Sequence, residues 1–241
     1  MNDWKTLFQQ ETFSSSFRIP QNEFQALGKA LIQNTSLKGL SLCSNGLGDD
    51  GAQDLAQALT ENTCLKELFL WNNGIGVIGA RAFAQVLIQN TNLKELSLFG
   101  NEIGHDGAQV LAKALTQNTS LNILSLSRNQ IGDKGAQALA KALIRNTGVN
   151  VLYVSSNEIG DKGLRALAKA LKKNTSLHTF YLTGNEIKER GAQALTKALQ
   201  KNFYLEAVHG GTQMDQFYHR NRKAKAKRIQ FQIFFFQKNK K

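Results

Sequence analysis

Proline is nearly missing from this chain of 241 residues: Pro20 stands alone. Cysteine is almost as scarce, with only Cys43 and Cys64. Two cysteines in so long a chain make no disulfide framework, so stability has to come from packing, as in a reducing compartment. No long uninterrupted apolar run occurs, which excludes a membrane-spanning helix. Residues 1–5 offer neither the basic start nor the apolar core of a secretory signal peptide, so a cytoplasmic setting is the expectation. Acidic residues are absent from the last 26 positions. What is present is ample: 41% of residues are apolar, enough to build a core and too many for a disordered polyelectrolyte.

The formal charge of +12 divides unevenly. Residues 1–215 hold all 18 acids and 21 of the 30 basic residues, a balance of +3, and residues 216–241 hold the other nine basic residues. The chain is a near-neutral body with a basic tail.

Self-similarity explains the body. Asn45, Asn73, Asn101, Asn129, Asn157 and Asn185 recur at a spacing of 28. The frame is clearest as Leu121, Leu124, Leu126, Asn129, Ile131, Gly132, Gly135, Ala136, Leu139, Ala140, Leu143, Asn146 and Thr147. Six copies, beginning at Leu37, Leu65, Leu93, Leu121, Val149 and Leu177, cover residues 37–204. Each starts with alternating apolar residues, as in Leu68-Phe69-Leu70, which predicts a short strand. Each continues with apolar residues at helical spacing, as in Ala136, Leu139, Ala140 and Leu143, with Gln137 and Lys141 on the other side. Eleven of the 20 glycines fall into two slots flanking the turn into the helix, where unusual backbone angles or close approach favour glycine. The asparagines follow the strands, where a side-chain amide can bond the backbone of neighbouring turns. A single strand and helix cannot bury their apolar faces, so the copies must stack, with the thinner strands on the inside of the bend.

The run Leu-x-x-Leu-x-Leu-x-x-Asn, followed by Ile-Gly and an Ala/Leu helix, resembles the leucine-rich repeat family. Its length and helical half are similar to the ribonuclease-inhibitor subtype, also used by nucleotide-binding immune receptors and by GTPase-activating proteins of the Ran cycle. The resemblance implies an α/β solenoid, a horseshoe with parallel strands on the concave face and helices on the convex face. Compact, regular copies are also similar to leucine-rich proteins of intracellular bacteria. That likeness implies an effector or adaptor acting on host proteins, delivered into a host cell without a cleavable signal peptide.

The expected organisation has four parts. Residues 1–36 form an N-terminal cap, in which Trp4, Leu7 and Phe8 shield the first turn and residues 23–34 form a half-repeat helix with no strand before it. Residues 37–204 are the six repeats. Residues 205–222 are a degenerate seventh repeat and C-terminal cap, with Met214, Phe217 and Tyr218 beginning a closing helix. Residues 223–241 are a basic and aromatic tail, Lys-Ala-Lys-Ala-Lys-Arg followed by Ile-Gln-Phe-Gln-Ile-Phe-Phe-Phe. The tail suits an import signal, an RNA contact, an anionic membrane surface, a sheet-edge pairing, or a plain solvated end.

Since the frame residues are core, information lies in the outward slots of the strands. Aromatic residues cluster there as Phe69, Trp71 and Phe99, and again as Tyr153, Tyr181 and His178, with Arg128 beside them. Large outward-facing rings are frequent anchors of protein interfaces, so these seven are the candidate partner-binding residues. The alternative is that the rings cover the sheet by packing on each other along neighbouring strands. Nothing points to catalysis, a metal or a cofactor. His178 and His209 have no cysteine or carboxylate beside them in a ligand pattern, and the repeated Gly-Asp-Lys-Gly lacks phosphate-loop spacing. Asp49, Asp106, Asp133, Asp161 and Glu189 recur near helix starts, where they suit the helix dipole. The sequons at Asn34, Asn118 and Asn174 arise from the frame. The expected function is non-enzymatic binding of a protein partner on the concave face. The alternatives are a membrane- or nucleic-acid-tethered protein acting through its tail, and a regulator of a small GTPase.

Overall fold

A computed structural model describes residues 3–15 and 17–211. After α1 (Trp4–Leu7) and β1 (Thr12–Ser14), a 3-10 turn at Gln21–Glu23 leads into α2 (Phe24–Gln33). Strands and helices then alternate: β2 (Gly39–Ser41), α3 (Gly48–Glu61), β3 (Glu67–Phe69), α4 (Val77–Gln89), β4 (Glu95–Ser97) and α5 (Gly104–Leu115). The series ends with β5 (Ile123–Ser125), α6 (Gly132–Leu143), β6 (Val151–Tyr153), α7 (Asp161–Leu171), β7 (Thr179–Tyr181), α8 (Glu189–Leu199) and β8 (Ala207–His209). Strands β1 to β8 form one parallel sheet in sequence order, and each helix from α2 onward packs on the next. The result is a solenoid with strands on the concave and helices on the convex face.

The strand centres Leu40, Leu68, Leu96, Leu124, Leu152, Phe180 and Val208 are buried in one column. Small helix residues such as Ala80, Ala108 and Ala136 let the helices lie close to that layer. The basic residues on and just after the later helices (Arg145, Arg165, Lys169, Lys172, Lys173, Lys197 and Lys201) are exposed. No described helix is long and apolar enough to cross a membrane.

Two asparagine ladders hold the turns together. In the ladder after the strands, the Asn73 side chain accepts from the amides of Asn45 at 2.9 Å and Leu47 at 3.3 Å, and donates to the Leu42 carbonyl at 2.9 Å. Asn157 does the same further along the stack. The second ladder, Asn34 through Asn202, closes the helix ends. Asn62, Asn90, Asn118, Asn146, Asn174 and Asn202 donate to the carbonyls of Leu31, Leu59, Leu87, Leu115, Leu143 and Leu171, which the preceding helix cannot satisfy. Each also accepts from the amide that opens the next repeat, as Asn118 does from Leu121 at 2.8 Å. The sequon residues Asn118 and Asn174 are therefore buried structural groups.

The glycine slot at the helix start takes two conformations, and the residue one repeat earlier selects between them. Where that residue is aspartate, its Oδ1 accepts two amides of the next helix start: Asp49 from Gly76 and Gly79, Asp133 from Gly160 and Gly163, Asp161 from Lys188 and Gly191. The slot residue is then extended, with φ of −98° at Gly76, −92° at Gly160 and −109° at Lys188. Where Gln21, Val77 or His105 precedes, the slot is left-handed, with φ near +60° at Gly48, Gly104 and Gly132. The amide then turns instead to the carbonyl of Asn73, Asn129 or Asn157. Only the left-handed form needs glycine, and this is why Lys188 is tolerated behind Asp161.

One expectation is corrected. A strand does precede the half-repeat helix: β1 pairs with β2, Phe13 opposite Leu40. It was hidden because this pairing is 27 residues apart, whereas Ile19 donates to Asn45 in the same 26-residue relation as Leu47 to Asn73. One residue fewer between Phe13 and Ile19 than between Leu40 and Leu47 takes β1 out of the 28-residue frame. Asp49, Asp133 and Asp161 stand in the first turn of their own helices, as expected, and each also accepts amides of the following helix start. Asp106 lies one slot later, with the His105 Nε2 3.5 Å from its Oδ1. Trp4 and Phe8 are buried and Leu7 packs against the core, their rings joined by Phe13. The expected closing helix at Met214, Phe217 and Tyr218 and the tail at 223–241 lie outside the described residues.

Candidate functional site

Alternation along three-residue strands places every second side chain on the concave face. Register aligns these into rows: Glu67, Glu95 and Ile123 at the strand starts, Phe69, Ser97, Ser125, Tyr153 and Tyr181 at the strand ends, then Trp71, Phe99, Ser127 and Ser155 just beyond. Large rings on or just beyond β3, β4 and β6 flank a run of serines, and the difference in height opens a trough of about 400 Å³. It gathers five of the seven sequence candidates: Phe69, Trp71, Phe99, Arg128 and Tyr153.

Trp71 is the exposed ring among them, with 44% of its surface open. Its ring is nonetheless held. The indole Nε1 donates to Ser97 Oγ at 2.6 Å, Phe69 meets it edge-on at 6.2 Å, and Phe99 lies 5.9 Å away on the other side. Arg128 extends its guanidinium over the Phe99 ring at 5.4 Å. Its backbone is left-handed, φ 55°, as at every position preceding a ladder asparagine from Ser44 to Gly184.

The second aromatic group is built differently from the sequence expectation. Tyr153, Tyr181 and His209 stack face to face at 4.2 and 4.1 Å with planes within 9°. His209, not His178, completes this stack, because His209 shares the strand register of Tyr181. His178 precedes β7, outside the trough, and its carbonyl accepts the amides of Glu206 and Ala207. Tyr181 gives one face to each neighbour, so that part of the sheet covers itself as the packing alternative describes. Burial, and after it the neighbouring Tyr181, push the Tyr153 phenol up to about 12, so it remains a neutral donor.

Sequence reasoning passed over Glu95 and the serine floor. Glu95 lines the trough at the end opposite Arg128, with its carboxyl raised by burial and then by Glu67 alongside on β3. Serines at four adjacent outward slots (Ser97, Ser125, Ser127 and Ser155) were the available signal, since small residues between rings leave a hollow. Among the described residues no group of three or more His, Cys, Asp or Glu side chains could hold a metal. The ladder asparagines are committed to backbone groups, which leaves none of the six for catalysis.

The leucine-rich repeat pattern matches residues 33–56, 61–84, 89–112, 117–140, 145–168 and 173–195, together more than half of the chain. The chain belongs to the leucine-rich repeat family. Members are in general non-catalytic, and the extended concave surface is where such solenoids bind proteins. No curated protein sequence matches this leucine-rich repeat chain. Among solved structures, actin-binding site 2 of leiomodin-1 is similar at 18% identity and a TM-score of 0.50, over 61% of this chain and 91% of that one. The tropomodulin C-terminal domain of Caenorhabditis elegans has 18% identity and a TM-score of 0.49, over 60% and 96%. At such identity the likeness is one of fold.

Proposed function

We propose that this leucine-rich repeat chain is a non-enzymatic recognition module that holds a protein partner on its concave face, with Trp71 as the central anchor. Phe69, Phe99, Arg128 and Tyr153 surround the anchor, and Tyr181 and His178 extend the surface toward the C-terminal strands. The observation that carries this reading is an exposed indole fixed in place by a hydrogen bond and two ring contacts. A prepositioned ring loses little entropy on binding, so most of its burial becomes affinity.

Finer features follow the same reading. The 28-residue period and a helix in every repeat support the ribonuclease-inhibitor-like subtype. Two free cysteines, Cys64 buried and Cys43 half-buried, fit a reducing compartment. The compact, regular copies support a host-directed effector or adaptor as the context. The similar leiomodin-1 domain is an actin-binding site of its own protein; the likeness in fold does not extend this to the present chain. The nine basic residues of 216–241 favour a second contact, with an anionic surface. Binding of that segment to anionic vesicles or RNA should fall steeply with salt.

The test compares capture of partners from cell lysate by the wild-type chain and by Trp71→Ala/Tyr181→Ala. Truncating a buried interface tryptophan costs about 2 kcal/mol or more, roughly thirtyfold in affinity. Partners should be lost from the double variant, and Trp71→Ala alone should shift thermal unfolding little, because Trp71 lies outside the leucine core. Retention of every partner by the double variant refutes the reading.

A further inference from the structure

The trough has chemistry at its two ends that the other described residues leave unanswered. Arg128 stands at one end, exposed and laid over Phe99. Glu95 stands at the other, half-buried, its nearest charged neighbour on the adjoining strand being the like-charged Glu67. Among the described residues neither has an ion-pair partner. Glu95 pairs in register with Ile123, and Arg128 follows Ile123 by five residues. Five residues of extended chain span about 16 Å, which is the upper bound on the separation of the two backbone positions along the strand direction.

Between them the lining is apolar rings over serine hydroxyls. Phe69 and Tyr153 face each other from β3 and β6, three strands apart, or about 14 Å between backbones. The rings themselves narrow this gap, and a helix of about 10–12 Å diameter does not enter it. An extended chain does. Its side chains can drop between Trp71 and Tyr153, and its amides can reach the Ser125 and Ser155 hydroxyls.

We propose that the trough takes an extended segment of the partner carrying a basic and an acidic residue about four or five positions apart, with a large apolar side chain between them. The apolar residue enters beside Trp71, the acidic residue meets Arg128 and the basic residue meets Glu95. This rests on the concave-face reading and adds to it the chemistry of the occupant. Charge complementarity at both ends sets the register of the segment, and the hollow sets the size of the side chain between. The cation also relieves Glu95, whose charge is disfavoured by its buried position and by Glu67.

The test uses random peptides displayed on phage, selected in parallel on the full wild-type chain, Arg128→Glu and Glu95→Lys. Both substituted side chains lie outside the leucine core, and unchanged circular dichroism and unfolding midpoints establish that each variant is folded. Peptides enriched on the wild type should show the basic–apolar–acidic pattern in one chain direction, and should bind about tenfold or more weakly to either variant. Selection on Arg128→Glu should yield peptides basic at both ends, and on Glu95→Lys peptides acidic at both ends. Enriched peptides without the charge pattern, peptides indifferent to both variants, or no enrichment at all would overturn the proposal. Synthetic copies of the enriched peptides are then measured on Trp71→Ala. Peptides that need Trp71 but ignore both charge variants leave the concave-face reading standing and remove the charge pattern. Peptides that bind Trp71→Ala undiminished remove the concave-face reading itself.

Discussion

Asp133 and Asp161 have the same role and nearly the same geometry, yet replacing them by alanine should not cost the same. Each carboxylate accepts two amides: Gly160 at 2.9 Å and Gly163 at 2.7 Å for Asp133, and Lys188 and Gly191, both at 2.9 Å, for Asp161. Loss of such a helix cap costs about 1 kcal/mol. After Asp133→Ala, Gly160 can adopt the left-handed form already used by Gly104 and Gly132, and the cost stays near that figure. After Asp161→Ala, the same move is asked of Lys188, where a left-handed backbone costs about 1–2 kcal/mol more. Asp161→Ala should therefore destabilise by about 2–3 kcal/mol. Lys188→Gly supplies the decisive comparison. In the wild type it places glycine at an extended position and destabilises by about 0.5–1 kcal/mol. In the Asp161→Ala background it restores about 1 kcal/mol, so its effect changes sign. Urea unfolding followed by circular dichroism gives the four free energies, and amide exchange at the first turn of α8 localises the change. Equal costs for the two aspartates, together with the same sign for Lys188→Gly in both backgrounds, would refute the reasoning.

Asn157→Ala should cost about 3 kcal/mol or more, since it strands the buried amides of Asn129 and Ile131 and the carbonyl of Leu126; the urea midpoint measures this directly. Glu95→Gln should stabilise the protein at neutral pH and have no effect near pH 3. The Glu95 carboxyl is raised in the fold by burial and then by Glu67, so the folded chain holds its proton to higher pH than the unfolded chain does. Stability is thus lost as pH rises from the unfolded carboxyl value through the folded one, and the glutamine variant lacks that loss. Unfolding midpoints of the two proteins that keep a constant separation across this range would contradict the assignment.

The repeat was fully legible as a string because everything in it is local or strictly periodic. Leucines at strand spacing, alanines at helix spacing and asparagines every 28 residues each report a nearest-neighbour need, and a solenoid is built from nearest-neighbour contacts. The concave address of Phe69, Trp71, Phe99 and Tyr153 followed from the same alternation, with Arg128 in an adjoining slot. What remained hidden depends on relations that break the period or cross it. The strand β1 fell out of frame by one residue. That Lys188 can stand in a glycine slot depends on Asp161, which reaches it from the preceding turn. His178 and His209 were equivalent as letters; strand register alone stacks His209 on Tyr181.

The family, the fold and the face that carries variable residues were determined by sequence alone, since burial and hydrogen-bond satisfaction leave a 28-residue strand-and-helix unit one way to stack. Tertiary structure decided which rings stay open and which close on one another, and that Glu95 and Arg128 end the same trough. Those outcomes depend on the height of each side chain above a shared sheet and on its neighbours across strands. Such distances exist only after residues 28 apart in the chain have come within about 5 Å of each other.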